Sequence, residues 1–384
     1  MEAAPAARSA EDLLRAARRI AEAAAARADA EDRDDGFPAE DVADLARAGL
    51  LAAPTPRDAG GLGLGEEPGA HRLAEVLRRI GSGSLALGRL YEGHVNALRL
   101  VARYGDAAQR GRLFADARAG HLFGVWNTEP PEGGLTIAER DGGLALAGCK
   151  TFASGAGFVT RALVTARAPG QSAPVMLVVP LPAGARADLS DWRAQGMRAS
   201  ATGTVSFTGL CVAPDAVLGR PDDYHRQPDF SGGAWRFAAV QLGGIEAVFD
   251  AWRSHLARTG RGEDPHQLAR LGEGAITLEG ARLWVEAAAR TAAEARLPDD
   301  RIVAFVNLAR LAVERAGLDV LQLAQRSVGL QGFLRGHPLE RLSRDLATYL
   351  RQPAPDRALT GAAAEILRAE GAAGDLWRPS DEGV

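Results

Sequence analysis

The sequence predicts an α+β chain that runs in three zones: helical, then β, then helical again. Both ends carry long stretches with apolar residues at helical spacing. The stretch from 120 to about 215 switches to the short, alternating runs of strands. A polar, proline-containing linker, Pro221-Asp222-Asp223-Tyr224-His225, marks the return to helix. The 384 residues exceed what one hydrophobic core usually serves, so two or three packed subdomains are expected.

In the first zone, Ala and Arg dominate 9–28. Pro38 then stands where a first helical turn tolerates proline, with Glu40 and Asp41 at the positive end of the dipole. Val42, Leu45, Leu50 and Leu51 follow at roughly helical spacing. The run from Pro54 to Gly65 is dense in turn formers and lacks both the dinucleotide glycine pattern and a preceding strand, so it reads as a tight connector. Further helices are expected at 67–80, 84–104 and 106–118.

In the second zone, Asp141-Gly142-Gly143 reads as a hairpin turn between runs at 135–140 and 144–150. Val175-Met176-Leu177-Val178-Val179 suits a strand covered on both faces. Thr204–Thr208 alternates as a strand with one polar face. Closely spaced strands of this kind make a small barrel or a sandwich. In the third zone, Ile245, Val248, Phe249, Trp252 and Leu256 form a helical stripe. Long helices are expected at 266–296 and 300–328, shorter ones at 337–351 and 357–370, and such lengths belong in a bundle or a subunit interface.

Composition narrows the function. Apolar residues make 46% of the chain and charged ones 24%, an ordinary globular balance, and the net charge of −4 excludes the basic footprint that nucleic acid demands. Two cysteines, Cys149 and Cys211, offer no disulfide framework. The start, Met1-Glu2-Ala3-Ala4-Pro5, lacks an export signal, and no apolar run reaches a membrane span. The expectation is a soluble, reduced, cytoplasmic protein. Lys150 is the single lysine among 45 basic residues, and this reads as coding bias, since Arg and Lys both stay charged on exposed faces.

No HxxxH or HExxH pair is present, so no metal site is expected; the GxSxG elbow and the phosphate-cradling GxxxxGK are also missing. A cofactor-dependent or pure binding protein remains. The most informative stretches are Trp126-Asn127-Thr128-Glu129-Pro130-Pro131-Glu132-Gly133-Gly134 and Gly148-Cys149-Lys150-Thr151-Phe152-Ala153-Ser154-Gly155. A strand ending in a hydroxyl and a Gly-rich turn can bring donors onto a flat heterocycle. Phe152 and Ser154, two apart on a strand, would face one ligand. The plainer reading is a β domain with polar strand ends.

With these stretches, Gly49-Leu50-Leu51, Pro56 to Gly63, Gly196-Met197-Arg198 and Leu339-Glu340-Arg341-Leu342-Ser343-Arg344-Asp345 stand in an order that resembles the acyl-CoA dehydrogenase family of flavoproteins. The resemblance implies an N-terminal helical domain over 1–119, a middle β-barrel over 120–220 and a C-terminal four-helix bundle over 228–384. It also implies FAD held between the barrel and the bundle. Thr128, with Asn127 and Gly133 in the same segment, would touch the flavin, and Phe152 and Ser154 would flank its ring near N5. Arg258 would hold the pyrophosphate. Gln325, Gly329 and Gly332, matching a segment that the family usually supplies from a neighbouring subunit, would hold the far end of the cofactor. A homodimer or homotetramer follows, with an electron-transfer flavoprotein or oxygen as electron acceptor. Independently, Arg258 and Arg261 stand together at a helix end, where cationic donors suit a pyrophosphate, although two arginines in an Arg-rich chain also need no function.

The activity implied is oxidation of a CH–CH group in a small molecule, an acyl-CoA thioester in the family, with hydride passing to flavin N5. That needs a carboxylate base. Counting eight residues from Asp345 lands on Pro353, and the second family location, Gly232-Gly233-Ala234-Trp235-Arg236-Phe237, also lacks an acid. Asp356 is the nearest candidate, either a displaced base or a helix N-cap. The Gly-Ser-Asp that the family carries after the Thr-Glu-Pro motif is Gly133-Gly134-Leu135 here. An alternative follows: flavin monooxygenases of the same fold, the dibenzothiophene type among them, use a helical-domain His with a Ser by the flavin. Here these would be His94 and Ser154, although a His among Val, Leu and Ala also suits a satisfied core position. A catalytically silent flavin-binding scaffold is the third reading.

Overall fold

The computed structural model describes residues 9–66, 69–140, 142–184 and 186–378. The reading at Met1–Pro5, Asp141 of the hairpin turn, and Glu67 and Pro68 of the 67–80 helix lie outside the described residues.

Among the described residues, five α-helices come first: α1 (Ala10–Glu31), α2 (Ala39–Arg47), α3 (Ala70–Gly83), α4 (Leu85–Tyr104) and α5 (Ala107–Arg118). Ser9 and Asp12 close a reciprocal capping box on α1, and Asp106 and Gln109 do the same on α5, so each start satisfies two orphan donors. The glycine-rich run between α2 and α3 folds as a connector bonded to itself. Gly61 packs so closely on Thr55 that a Cβ would lie 2.0 Å from its carbonyl oxygen.

Ten short strands follow among the described residues: β1 (Phe123–Trp126), β2 (Thr136–Arg140), β3 (Gly143–Ala147), β4 (Cys149–Ala153), β5 (Arg161–Ala166), β6 (Val175–Pro180), β7 (Ala187–Asp188), β8 (Gly203–Ser206), β9 (Cys211–Val212) and β10 (Val217–Leu218). They form three sheets, ordered β1-β5-β6-β10, β2-β3-β9 and β4-β8-β7. Among the described residues no sheet closes, so the expected barrel is an open arrangement. Two of the sheets part at Gly148. The run expected as one strand over 144–150 breaks there at φ +106, ending one sheet and opening the next. Only glycine fits that corner, because a Cβ would sit 2.4 Å from the Gly134 carbonyl oxygen. Strands β7, β9 and β10, two residues each, are too short to seal an edge.

The last five helices are α6 (Trp235–Arg258), α7 (Pro265–Glu294), α8 (Asp299–Val328), α9 (Pro338–Tyr349) and α10 (Pro355–Arg368). Helix α6 packs on α3, α7, α8 and α9, and α8 on α7 and α10. Ile245, Val248, Trp252 and Leu256 of the expected stripe are buried. The α3–α6 crossing is close, with a Cβ on Gly81 lying 2.4 Å from the Val240 carbonyl oxygen, and Arg78 pairs with Glu246 at 2.5 Å beside it.

The chain divides into two compact units. One holds the residues up to Leu64, Ala86–Ala194 and Arg198–Arg226; the other holds Gly65–Leu85, Gln195–Met197 and the chain from Gln227 onward. No described helix is long and apolar enough to cross a membrane.

Candidate functional site

In the first unit, the segment after β1 and strand β4 are joined by a buried charge. Lys150 is 0% exposed. Its ammonium donates to the Asn127 carbonyl oxygen at 3.2 Å, Glu129 Oε1 at 2.7 Å and Thr165 Oγ1 at 3.0 Å. Burial pushes Lys150 below its ordinary value and Glu129 pulls it back part of the way. Three acceptors, one for each N–H, specify the charged form. Glu129 also receives the Leu135 N–H at 3.2 Å and Arg167 Nη1 at 2.8 Å. Burial opposes its ionisation, but Lys150 and Arg167 outweigh that and hold its carboxyl below the usual range. The Thr151 N–H donates to the Thr128 carbonyl at 3.0 Å, and the Cys149 N–H to that of Gly133 at 3.0 Å. Both motifs are therefore pinned to one another on either side of Thr128, whose side chain is exposed.

Phe152 and Ser154 are neighbours by a different route from the one the strand period predicts. The β4–β8 register shifts between Lys150 and Ala153, Phe152 takes φ +52, and β4 ends before Ser154. The bulge turns the Phe152 ring outward, 64% exposed, edge-on to Trp192 at 6.2 Å. A bulky residue with positive φ costs on the order of 1 kcal/mol or more, so the surrounding structure enforces this exposure. Ser154 is half-buried; its carbonyl receives Trp126 Nε1–H at 3.0 Å and its hydroxyl the Thr202 hydroxyl at 3.3 Å. Thr202 lies 2.7 Å from the Ser200 hydroxyl, completing a chain of three. Gly133 adopts φ +78. Asn127, Thr128, Gly133, Phe152 and Ser154 thus belong to one unit and two adjoining segments. Their exposed ring, hydroxyls and amide fit a flat heterocycle edged with acceptors.

His94 lies on α4 in the same unit and is fully buried. Its Nε2 lies 2.7 Å from the Leu51 carbonyl and its Nδ1 receives the Phe123 N–H at 3.1 Å. Those partners specify the neutral tautomer protonated at Nε2, and burial pushes its pKa down to about 4. Both nitrogens are committed to joining α4, the turn at Leu51 and β1.

In the second unit, Arg258 is exposed in the last turn of α6. Arg261 instead donates to the Ser327 carbonyl at 3.0 Å. His255 and His337 sit 3.2 Å apart through their ring nitrogens. Burial, then neighbouring cationic groups including Arg258, push both histidines below their ordinary value. Gln325 is in the last turn of α8, where its carbonyl receives the Gly329 N–H. Gly329 has φ +74, and Gly332 is buried against Leu339 and Val328. Asp356 is exposed in the first turn of α10. The N-cap there is Ala354, so Asp356 interacts with the helix dipole rather than capping the end.

Two family models match the chain: the acyl-CoA dehydrogenase N-terminal domain over residues 8–121 and the acyl-CoA dehydrogenase C-terminal domain over 227–350. The chain belongs to the acyl-CoA dehydrogenase family. Within that family's fold, it is similar to dibenzothiophene monooxygenase of Rhodococcus erythropolis, 28% identical over 378 residues, covering 88% of this chain and 89% of that protein. It is also similar to the amino sugar nitrososynthase DnmZ of Streptomyces peucetius, 28% identical over 338 residues, covering 82% of each. Among solved structures, TdsC of Paenibacillus sp. A11-2 in complex with FMN and indole superposes with a TM-score of 0.82 at 21% identity, over 95% of this chain and 99% of that one. That last likeness is one of fold.

Lys150, Glu129, Thr165 and Trp192 were given no role in the site from the sequence. Trp192 gave no signal. Lys150 did, by being the chain's single lysine.

Proposed function

We propose that the chain is a flavin-dependent monooxygenase of the acyl-CoA dehydrogenase fold, acting on a small molecule, rather than a dehydrogenase of acyl-CoA thioesters. The observation that carries this reading is the missing base. Pro353 and the 232–237 segment bring no carboxylate to either family location, and Asp356 lies on an exposed helical turn. The dibenzothiophene monooxygenase likeness over most of both chains supports it.

A reduced flavin, when bound, would supply two electrons to molecular oxygen, one oxygen atom entering the substrate and the other leaving as water. The chain's own residues do the rest. Asn127 and Thr128 would hold the acceptor-rich edge of the ring. Phe152, backed by Trp192, would cover its face and exclude water. Ser154, at the end of the Ser200–Thr202 chain, would hold a proton at its Oγ. We assign His94 a structural task, because using it on substrate would first break one of its two bonds.

The sequence resemblance implies FAD, while the TdsC complex contains FMN. In this reading FMN is the cofactor, and Arg258, Gln325, Gly329 and Gly332 serve its phosphate end. Exposed apolar residues in and after the segment bearing these glycines (Leu330, Phe333 and Leu334), with Leu268, Ile276 and Leu283 along α7, support a homodimer or homotetramer. Sedimentation at micromolar concentration tests that assembly, and a monomer would refute it.

The function is tested with purified protein loaded with FMN or FAD. Anaerobic acyl-CoA should leave the flavin colour unchanged. A separate reductase supplying reduced FMN, with oxygen and either indole or dibenzothiophene, should yield oxygenated product. Bleaching by an acyl-CoA would refute the monooxygenase reading and restore the dehydrogenase.

A further inference from the structure

We propose that Lys150 is a positioning residue that sets Asn127 as a hydrogen-bond donor toward the flavin, acting through Thr165. This rests on the flavin reading above. The direction of each bond follows from what each group can do. An ammonium only donates, so Thr165 Oγ1, 3.0 Å from Lys150 Nζ, accepts. The Thr165 hydroxyl hydrogen is then free to point elsewhere, and Asn127 Oδ1 lies 2.6 Å away to receive it. With its oxygen occupied, the Asn127 amide presents its NH2 to whatever it meets next. The Asn127 main chain is held by the same ammonium at 3.2 Å, so side chain and backbone are fixed from one point.

Burial makes this polarity durable. Lys150 and Thr165 are 0% and 3% exposed, so water cannot take over either bond. The chain of bonds therefore works in one direction, from the ammonium through a hydroxyl to an amide. The ligand atom it selects is an acceptor, as the carbonyl edge of a flavin is. A reversed amide would meet that edge with oxygen against oxygen.

The test is flavin binding to full-length protein, read by quenching of FMN fluorescence and by the position of the visible flavin band. Thr165→Val removes the relay at nearly constant volume without touching a charge. It should weaken FMN binding about tenfold and shift the band in the same direction as Asn127→Ala. The double variant should be no weaker than Asn127→Ala alone, since Thr165 acts through Asn127. Asn127→Asp, of the same shape but unable to donate when ionised, should bind FMN no better than Asn127→Ala. Lys150→Met should resemble Thr165→Val if it folds, as judged by circular dichroism; the Thr165 result stands without it. Unchanged binding in Thr165→Val, additive losses in the double variant, or tight binding by Asn127→Asp would each overturn the proposal. Wild-type protein that takes up neither FMN nor FAD would overturn the flavin reading itself, and this inference with it.

Discussion

Glu129→Gln removes one negative charge beside Lys150 and leaves an oxygen in place for the Leu135 N–H. Lys150 is 0% exposed, so its ammonium cannot turn to water when its partner is neutralised. Breaking a buried pair from one side costs about 3–5 kcal/mol. Glu129 keeps 17% side-chain exposure, and the Asn127 carbonyl and Thr165 hydroxyl still accept, so the expected loss is at or just below the bottom of that range, about 2–3 kcal/mol. The pH dependence supplies the control. Glu129 is held below the ordinary carboxylate range, so on acidification the unfolded chain takes up this proton before the folded one does. Its contribution is fully present above about pH 4.5 and is lost as pH falls through the folded value. Urea unfolding followed by circular dichroism at pH 7 should show a lower midpoint with an unchanged slope. The gap between wild type and variant should narrow as pH falls below about 4.5, the ordinary glutamate value. Equal midpoints at pH 7, or a gap indifferent to pH, would refute the claim that this charge pair anchors the two motifs.

His94 should make the first unit acid-sensitive in a higher window. Its folded pKa of about 4 lies below the unfolded value near 6.5, so the unfolded chain binds the proton first and stability falls as pH drops from about 6.5 toward 4, by up to about 3 kcal/mol. His94→Gln, which can donate to Leu51 and accept from Phe123, should flatten melting temperature across that range. Phe152→Asn should leave the melting temperature unchanged or raise it, since Asn tolerates φ +52, while FMN retention through gel filtration falls; loss of both together would contradict the strain argument. Arg261→Ala should lower the unfolding free energy measured in urea by about 1 kcal/mol, through its bond to the Ser327 carbonyl, whereas Arg258→Ala should leave stability alone and weaken flavin retention more.

Much of the architecture was legible because helices and buried strands write their period directly. Ile245, Val248, Trp252 and Leu256 of the apolar stripe lie in the core on α6. What the period could not convey was closure. Whether strands close into a barrel is decided by corners, and the run at 144–150 hid its corner at Gly148, a residue that reads as tolerable inside a strand until Gly134 is found packed against it. The same limit applies at Phe152. Alternation put its ring and Ser154 on one face, but the bulge and the positive φ replace alternation with a local turn. Local pattern names an element; contacts between distant segments decide where it bends.

The charge hub shows how a compositional anomaly can carry physical information. Every other basic position in this chain is Arg, so whatever favours Arg acted almost everywhere. A guanidinium is a flat fork whose five N–H groups point within one plane. At Lys150 the acceptors are a main-chain carbonyl and a carboxylate from the segment after β1 and a hydroxyl from β5, converging on one nitrogen that has no exposure. A compact ammonium with three N–H bonds can serve all three; a fork two atoms larger would have to displace β5 or leave N–H groups buried and unpaired. Coding bias explains the forty-four arginines. It does not explain the exception, which falls where the geometry needs a point charge and where the chain's two most informative motifs meet.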